Sequence, residues 1–530
     1  NLSMGKSYPD SRVVETAYGK VCGRRISCEG DKQVDAFHGI PFAKPPLKEL
    51  RFKKPVPPDP WEGIRETKKW PKRCTQKNVL LFDTLRYGRS SEDCLYLNVF
   101  TPCWQPPPQG FAVLVFMHGG AFIMDSSKKY GDIGICRSLC TKNLVVVTIQ
   151  YRLGYLGFLY TGDDRCDANI GLWDQTEALK WVQENIGAFG GNKDNVTLAG
   201  QSAGGVSVDL LQLSEHSNGL FHKVIPMAGN ACSSWTFSDM KSHSELLARK
   251  LRCDPHDPML MEKYRKLPAE RFAVQMVRSE SERDDLECSP VIDGDFLVGT
   301  IDEMRGKTKP KPMMTGVCTS EALLFMIATR VGVKKFKNVV RRLNSSNSAS
   351  AMKQLDEIIS SYIDLSGKST AMQRYRAYSK LLSDIMLTSS TLKLAQDTVD
   401  MHPNTPVYLY EFEHCNRRSY GWLGLFMPIK EATHCTELAY LFGKGILFSF
   451  PFTRKDKAMN EMFTTAVANF AKFGDPNGIN ASSDLPVHWK SVSRDHRENN
   501  LVFSTSPCMK PAFFEGRPAR ILSLLRKGTD

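Results

Sequence analysis

The stretch Val196-Thr-Leu-Ala-Gly-Gln-Ser-Ala-Gly-Gly-Val206 decides how the rest of the chain is read. Val196 to Ala199 is a short apolar run of strand type, and Gly200-x-Ser202-x-Gly204 follows it at once. From Ala203 the residues are small and then aliphatic, which predicts a helix running through Leu213. A serine caught between a strand end and a helix start occupies a sharp corner, with its hydroxyl exposed above the sheet. Glycines on either side keep other side chains away from it. The spacing by itself is weak; the strand before it and the helix after it carry the reading.

On both sides of this corner apolar runs alternate with helical spacing. Ala112 to Met117 and Leu144 to Ile149 are uninterrupted apolar runs of the kind buried on both faces of a sheet. Trp173 to Ile186 brings Leu179, Val182 and Ile186 to one side of a helix, and Lys223 to Met227 reads as another strand. Such alternation predicts an α/β fold, a large central mostly parallel mixed sheet flanked by helices. The opening, Arg12 to Val21 and Val34 to Phe37, reads as antiparallel strands. The region 236–398 reads as helical and charged insertions, interrupted by a strand from Lys311 to Val317. Val407 to Phe412 is a late strand, and an aromatic, glycine-rich loop over Tyr420 to Met427 follows it. Lys457 to Phe473 is an amphipathic helix stopped by Gly474-Asp475-Pro476.

Composition removes several function classes. With 530 residues, 42% hydrophobic and 24% charged, the chain is an ordinary globular one, read as a single domain over 12–525. Residues 1–11, with Met4 behind Asn1, read as an N-terminal extension or a cloning remnant, and no signal peptide is legible. The net charge of +13 is scattered, so no nucleic-acid face is expected. The densest cluster, Lys334, Lys335, Lys337, Arg341 and Arg342, reads as the polar face of a surface helix. No run of 18 apolar residues exists, so no transmembrane segment is expected and only peripheral membrane contact stays open. Fifteen cysteines are too sparse for a disulfide scaffold. They show no metal-binding spacing, so no metal and no cofactor are expected.

A serine hydroxyl needs a base in reach, an acid to orient that base, and donors for the developing oxyanion. In proteins with this corner the parts follow in the order serine, acid, histidine. His434, after a strand and a long loop, is the best placed base; His402 precedes the strand, and His488 and His496 lie in irregular terminal stretches. Glu321, just past the strand ending at Val317, is the acid in the right order, or else an ordinary helix N-terminal carboxylate. His118-Gly-Gly-Ala-Phe122 follows a buried strand, so Gly120 and Ala121 offer backbone amides that, with that of Ala203, would form an oxyanion hole.

Further blocks widen the picture: Phe37-His-Gly-Ile-Pro-Phe-Ala43, Ser91-Glu-Asp-Cys-Leu-Tyr-Leu-Asn98, Asn169-Ile-Gly-Leu-Trp-Asp-Gln175 and His434-x-x-Glu437-Leu438. With the corner they resemble the type-B carboxylesterase/cholinesterase family of the α/β-hydrolase fold, over about residues 12–525. The resemblance implies Ser202 as nucleophile, His434 as base and Glu321 as orienting acid. It implies ion pairs Arg51–Glu92 and Arg152–Asp174, a disulfide Cys74–Cys94, and a substrate pocket shaped by Phe122, Trp235, Leu324 and Phe325. Three departures stand out. Gln201 replaces a usual Glu beside the nucleophile and, with no tryptophan between Cys74 and Cys94, implies a non-cholinergic, invertebrate-like carboxylesterase. Ala228 replaces a common serine near the acid. Tyr264 stands where Cys253 would find a mate, and the pairing of Cys22, Cys28 and Cys508 is left open. The implied activity is hydrolysis of hydrophobic small-molecule esters. An acyltransferase and a non-catalytic adhesion protein of the neuroligin type are the alternatives. Asn344 and Asn480 begin sequons, and Asn195 begins one that enters a strand.

Overall fold

Among the described residues thirteen strands join in one sheet, and their order accounts for the alternation of the sequence. The structure is a computed structural model that describes residues 8–78, 83–274, 286–329, 357–362, 369–445, 448–479 and 485–526. Along the chain the strands are β1 Asp10–Thr16, β2 Gly19–Ser27, β3 Gln33–Pro41, β4 Tyr96–Pro102, β5 Phe111–Met117 and β6 Leu144–Ile149. They continue with β7 Gly191–Gln201, β8 Lys223–Met227, β9 Met313–Cys318, β10 Val407–Phe412, β11 Asn500–Phe503 and β12 Cys508–Lys510. Across the sheet the order is β1-β2-β3-β4-β6-β5-β7-β8-β9-β10-β11-β12, with Ile64–Glu66 beside β2. From β6 to β11 every neighbouring pair is parallel, and the antiparallel pairs lie toward the two edges.

Alternate residues of the central strands feed two cores. On β5, Val113, Val115 and Met117 enter one core while Ala112, Leu114 and Phe116 enter the other. Both faces therefore need cover, which is why these strands read as unbroken apolar runs. Helices α1 (Ile170–Asn185) and α2 (Ala203–Leu213) cover the first face through Leu172, Leu179, Val206 and Leu210. On the second face Leu438 and Tyr440 come from α6 (Thr436–Phe442), and Met459, Phe463 and Phe470 from α7 (Arg454–Phe473). Between these pairs lie α3 (Leu323–Thr329), α4 (Ala371–Ser383) and α5 (Ser389–Met401).

Several boundaries differ from the sequence reading. Arg12 to Val21 is not one strand but the two arms of a hairpin, turning at Ala17 and Tyr18. The first strand opens at Asp10, inside the expected extension. Helix α1 starts at Ile170 rather than Trp173, because Asn169, in a left-handed conformation, ties its side chain to the backbone of Val291. Strands β4, β11 and β12 had not been assigned. The cationic cluster around Lys334 and the sequons at Asn344 and Asn480 lie outside the described residues. Asn195 donates to the Lys472 carbonyl, and Thr197 is fully buried in β7.

The implied ties are present. Arg51 makes a forked contact with Glu92 at 2.5 and 2.6 Å and donates to the carbonyls of Tyr264 and Leu267. Arg152 and Asp174 pair at 2.6–3.0 Å, fully enclosed. Cys74 and Cys94 form a disulfide, whereas Cys22, Cys28, Cys253 and Cys508 are free thiols. Tyr264 is buried against Phe52 and Phe272. No described helix is long and apolar enough to cross a membrane.

Candidate active site

Strand β7 ends at Gln201 and α2 starts at Ala203, leaving Ser202 to make the turn alone. It does so at φ 60°, ψ −127°, a backbone conformation that costs a non-glycine residue about 1–3 kcal/mol. The surroundings hold it there. The Ser202 amide donates to the Met227 carbonyl at 2.9 Å. A Cβ on Gly204 would lie 2.2 Å from the Met117 carbonyl oxygen, and one on Gly200 would lie 2.2 Å from the Gly204 carbonyl oxygen. Only glycine lets the main chain come this close.

The loop after β5 presses against this corner. A Cβ on Gly119 would meet the Gln201 carbonyl oxygen at 2.5 Å and the Ser202 Cβ at 3.1 Å. Gly120 and Ala121 both have positive φ, and the Gly120 carbonyl accepts from the amides of Ile123 and Met124. The loop is anchored by Asp125, which accepts from Lys129 at 3.0 Å and from the Tyr130 hydroxyl at 3.1 Å. Within it, His118 stacks on Tyr151, and burial lowers its pKa, so the ring stays neutral. Among the described residues nothing accepts from the amides of Gly120 and Ala121. The amide of Ala203, at the first position of its helix, is one of the donors a helix leaves free.

The acid and base arrive from two neighbouring strands. Glu321 follows β9 and His434 follows β10, so three parallel strands, β7, β9 and β10, deliver the three residues to one end of the sheet. Glu321 Oε2 lies 2.5 Å from His434 Nδ1, and its other oxygen accepts from the Cys318 amide at 2.6 Å. Glu321 thus faces the ring, two residues before α3 begins at Leu323. The Cys318 amide holds the acid from the side away from the ring. Both side chains are buried. Phe325 packs on the imidazole, 4.9 Å between centroids.

Gln201 is the neighbour the sequence did not place. Its Nε2 lies 3.3 and 3.4 Å from the two nitrogens of His434, near-equal distances that put the amide over the ring rather than in its plane. Cys435, left-handed at φ 71°, donates its thiol to Gln201 Oε1 at 3.1 Å and so orients that amide. Among the described residues no hydrogen bond joins the Ser202 hydroxyl to the imidazole; such contacts commonly tighten only once substrate is bound.

Behind the pair is a second acid. Glu437, at the start of α6, accepts from the Cys318 thiol at 2.8 Å. Ligand atoms of Cys318, Glu321 and Glu437 all lie within 4.8 Å of one another. Burial, reinforced by the charge of Glu321, pushes the Glu437 carboxyl up to about 7, and burial raises the Cys318 thiol as well. Buried beside Glu321, the Glu437 carboxyl therefore keeps its proton where an ordinary glutamate would have lost it. Glu437 sits three residues past His434, a spacing that does not by itself reveal its role.

Of the four residues expected to line a pocket, Leu324 and Phe325 stand beside His434; the Leu324 amide donates to the Thr433 hydroxyl. Trp235 is half-buried and donates to the Met386 carbonyl. Phe122 lies in the core with its ring against Phe158 and exposes nothing.

A model of the carboxylesterase family matches residues 10–519. The esterase cest-33 of Caenorhabditis elegans is 35% identical over 526 residues, covering 96% of this chain and 94% of the relative. The medium-chain fatty acyl-CoA hydrolase precursor of Anas platyrhynchos is 31% identical, over 94% of this chain and 89% of its own. The cocaine esterase of Homo sapiens is 31% identical, over 96% and 90%.

Proposed function

Because the chain belongs to the carboxylesterase family, serine hydrolases of the α/β-hydrolase fold that cleave carboxylic esters, we propose that it does so through Ser202, His434 and Glu321 on hydrophobic esters. The observation that carries this is the meeting of a strained, half-buried serine with unengaged backbone amides and a buried imidazole–carboxylate pair at one sheet end. Ser202 attacks the ester carbonyl, and His434 removes its proton. The amides of Gly120, Ala121 and Ala203 receive the oxyanion. His434 then protonates the departing alcohol, and water attacks the acyl-serine by the same route. Glu321 holds the ring in one tautomer and balances its charge.

The surroundings favour uncharged, apolar substrates. Phe325, Leu324 and Trp235 supply apolar surface, and Gln201 is neutral where a carboxylate would attract a cationic alcohol. The test is a series of p-nitrophenyl esters of increasing acyl length, turned over by the parent and by Ser202→Ala. Turnover is expected to rise with acyl length beyond acetate and to fall by about 10,000-fold or more in the variant. Equal turnover by parent and variant would remove the proposal.

A further inference from the structure

The loop leading to His434 carries the most conspicuous apolar surface of the described residues. Arg417–Leu425 is a 3-10 segment on which Trp422 is 54% exposed; Leu425 at its end is 83% exposed and the next residue, Phe426, 70%. Burying large apolar side chains is the rule, and isolated exceptions mean little. Three within five residues, with Trp422 and Phe426 ring to ring at 6.3 Å, form a patch.

The patch is a projection on a fixed base. Tyr420, Met427 and Ile429 are buried beneath it with Leu323, and the Tyr420 hydroxyl donates to the Glu431 carbonyl. Tyr375 of α4 packs against the same base. A projection held from below has its apolar tip outside because of how the segment folds, not because the segment is loose.

Among the described residues the charge around the tip is mainly positive. Arg417 and Arg418 are exposed on the segment itself, and Lys430 lies over Gly424, its Cε 3.5 Å from where a Cβ would stand. Arg374 and Arg376 are exposed on α4 beside Tyr375. The acid facing them, Glu431, is engaged by Ser320 and lies 3.9 Å from Arg376. An exposed Trp–Leu–Phe tip with Arg and Lys on the neighbouring segments matches an anionic bilayer, where Trp favours the interface, Leu and Phe enter the acyl boundary, and cations meet anionic headgroups.

We propose that Trp422, Leu425 and Phe426, with Arg417, Arg418, Arg374, Arg376 and Lys430 around them, dock this protein on anionic phospholipid bilayers. Docking stands apart from catalysis. That it would bring membrane-dissolved esters to Ser202 rests on the function proposed above.

The full chain carrying Ser202→Ala, mixed with vesicles of phosphatidylcholine alone or with 30% phosphatidylserine, separates the two questions, since binding needs no turnover. Cosedimentation is expected with the phosphatidylserine vesicles and to weaken at least tenfold in their absence or in 0.5 M salt. It is also expected to weaken at least tenfold on Trp422→Ser with Leu425→Ser and Phe426→Ser, and on Arg417→Glu with Arg418→Glu. Thermal unfolding at the parent temperature shows that these surface variants are folded. Binding unaltered by either set of changes would overturn the proposal. So would a parent that sediments as a dimer, failing to bind vesicles, and becomes monomeric with the serine substitutions.

Discussion

The two sides of the candidate site are built from different materials. On the serine side the contacts that matter are backbone to backbone: Gly204 against the Met117 carbonyl, Gly200 against the Gly204 carbonyl, Gly229 against the Ser202 carbonyl. On the histidine side they are side chain to side chain: Glu321, Gln201 and Phe325 around the imidazole, with Cys435 and Glu437 behind. Backbone crowding tolerates one residue type and leaves its mark in the local sequence. A side-chain network assembled from residues hundreds of positions apart leaves no such mark.

If the contrast holds, damage to the histidine side costs activity and damage to the serine side costs the fold. The largest effect is expected from Glu321→Gln. Amide for carboxylate keeps the volume but no longer holds the productive tautomer, so kcat should fall about 10,000-fold with the unfolding midpoint nearly unchanged. Urea unfolding together with steady-state kinetics reads both. Gly204→Ala should do the reverse, removing about 3 kcal/mol or more of stability because the added methyl meets main chain that cannot turn aside. A stable Gly204→Ala protein would dissolve the comparison.

The smallest effect sharpens it. In the folded protein Glu437 keeps its proton up to about pH 7, whereas in the unfolded chain it releases it near the usual 4.5. Between those values the folded state binds more protons, so the stability this group contributes is full below pH 4.5 and is lost as the pH rises through 7. Glu437→Gln cannot titrate. Its melting temperature should therefore drop less than the parent's between pH 5 and pH 8, by about 3 °C. Parallel curves would mean that the second acid does not titrate in that range.

The same division explains what could be read from the sequence. The runs of β5, β6, β8 and β10 were legible because burial on both faces leaves few polar positions to confuse the period. The corner at Ser202 and the loop at Gly120 were legible because glycine marks close approach. Glu321 and His434 were placed by chain order and family resemblance, their own neighbourhoods being unremarkable. The contact of Gln201 with His434 was not legible at all, since it depends on how two strand ends meet. Nor was the hairpin at Ala17 and Tyr18, where the turn carries no Asn-Gly or Asp-Gly pair to announce it. The resemblance implied Phe122 as a pocket residue, whereas its ring lies in the core against Phe158, with a positive φ at its backbone.

The forked contact of Arg51 with Glu92 lies two residues from Cys94, and through it the same segment is tied to the carbonyls of Tyr264 and Leu267. The strap between Cys74 and Cys94 is thus fastened twice, once by a covalent bond and once by an ion pair that no thiol reagent touches. A reductant that opens the first fastening meets a segment still moored by the second, so the molecule carries its own insurance against a change of redox surroundings.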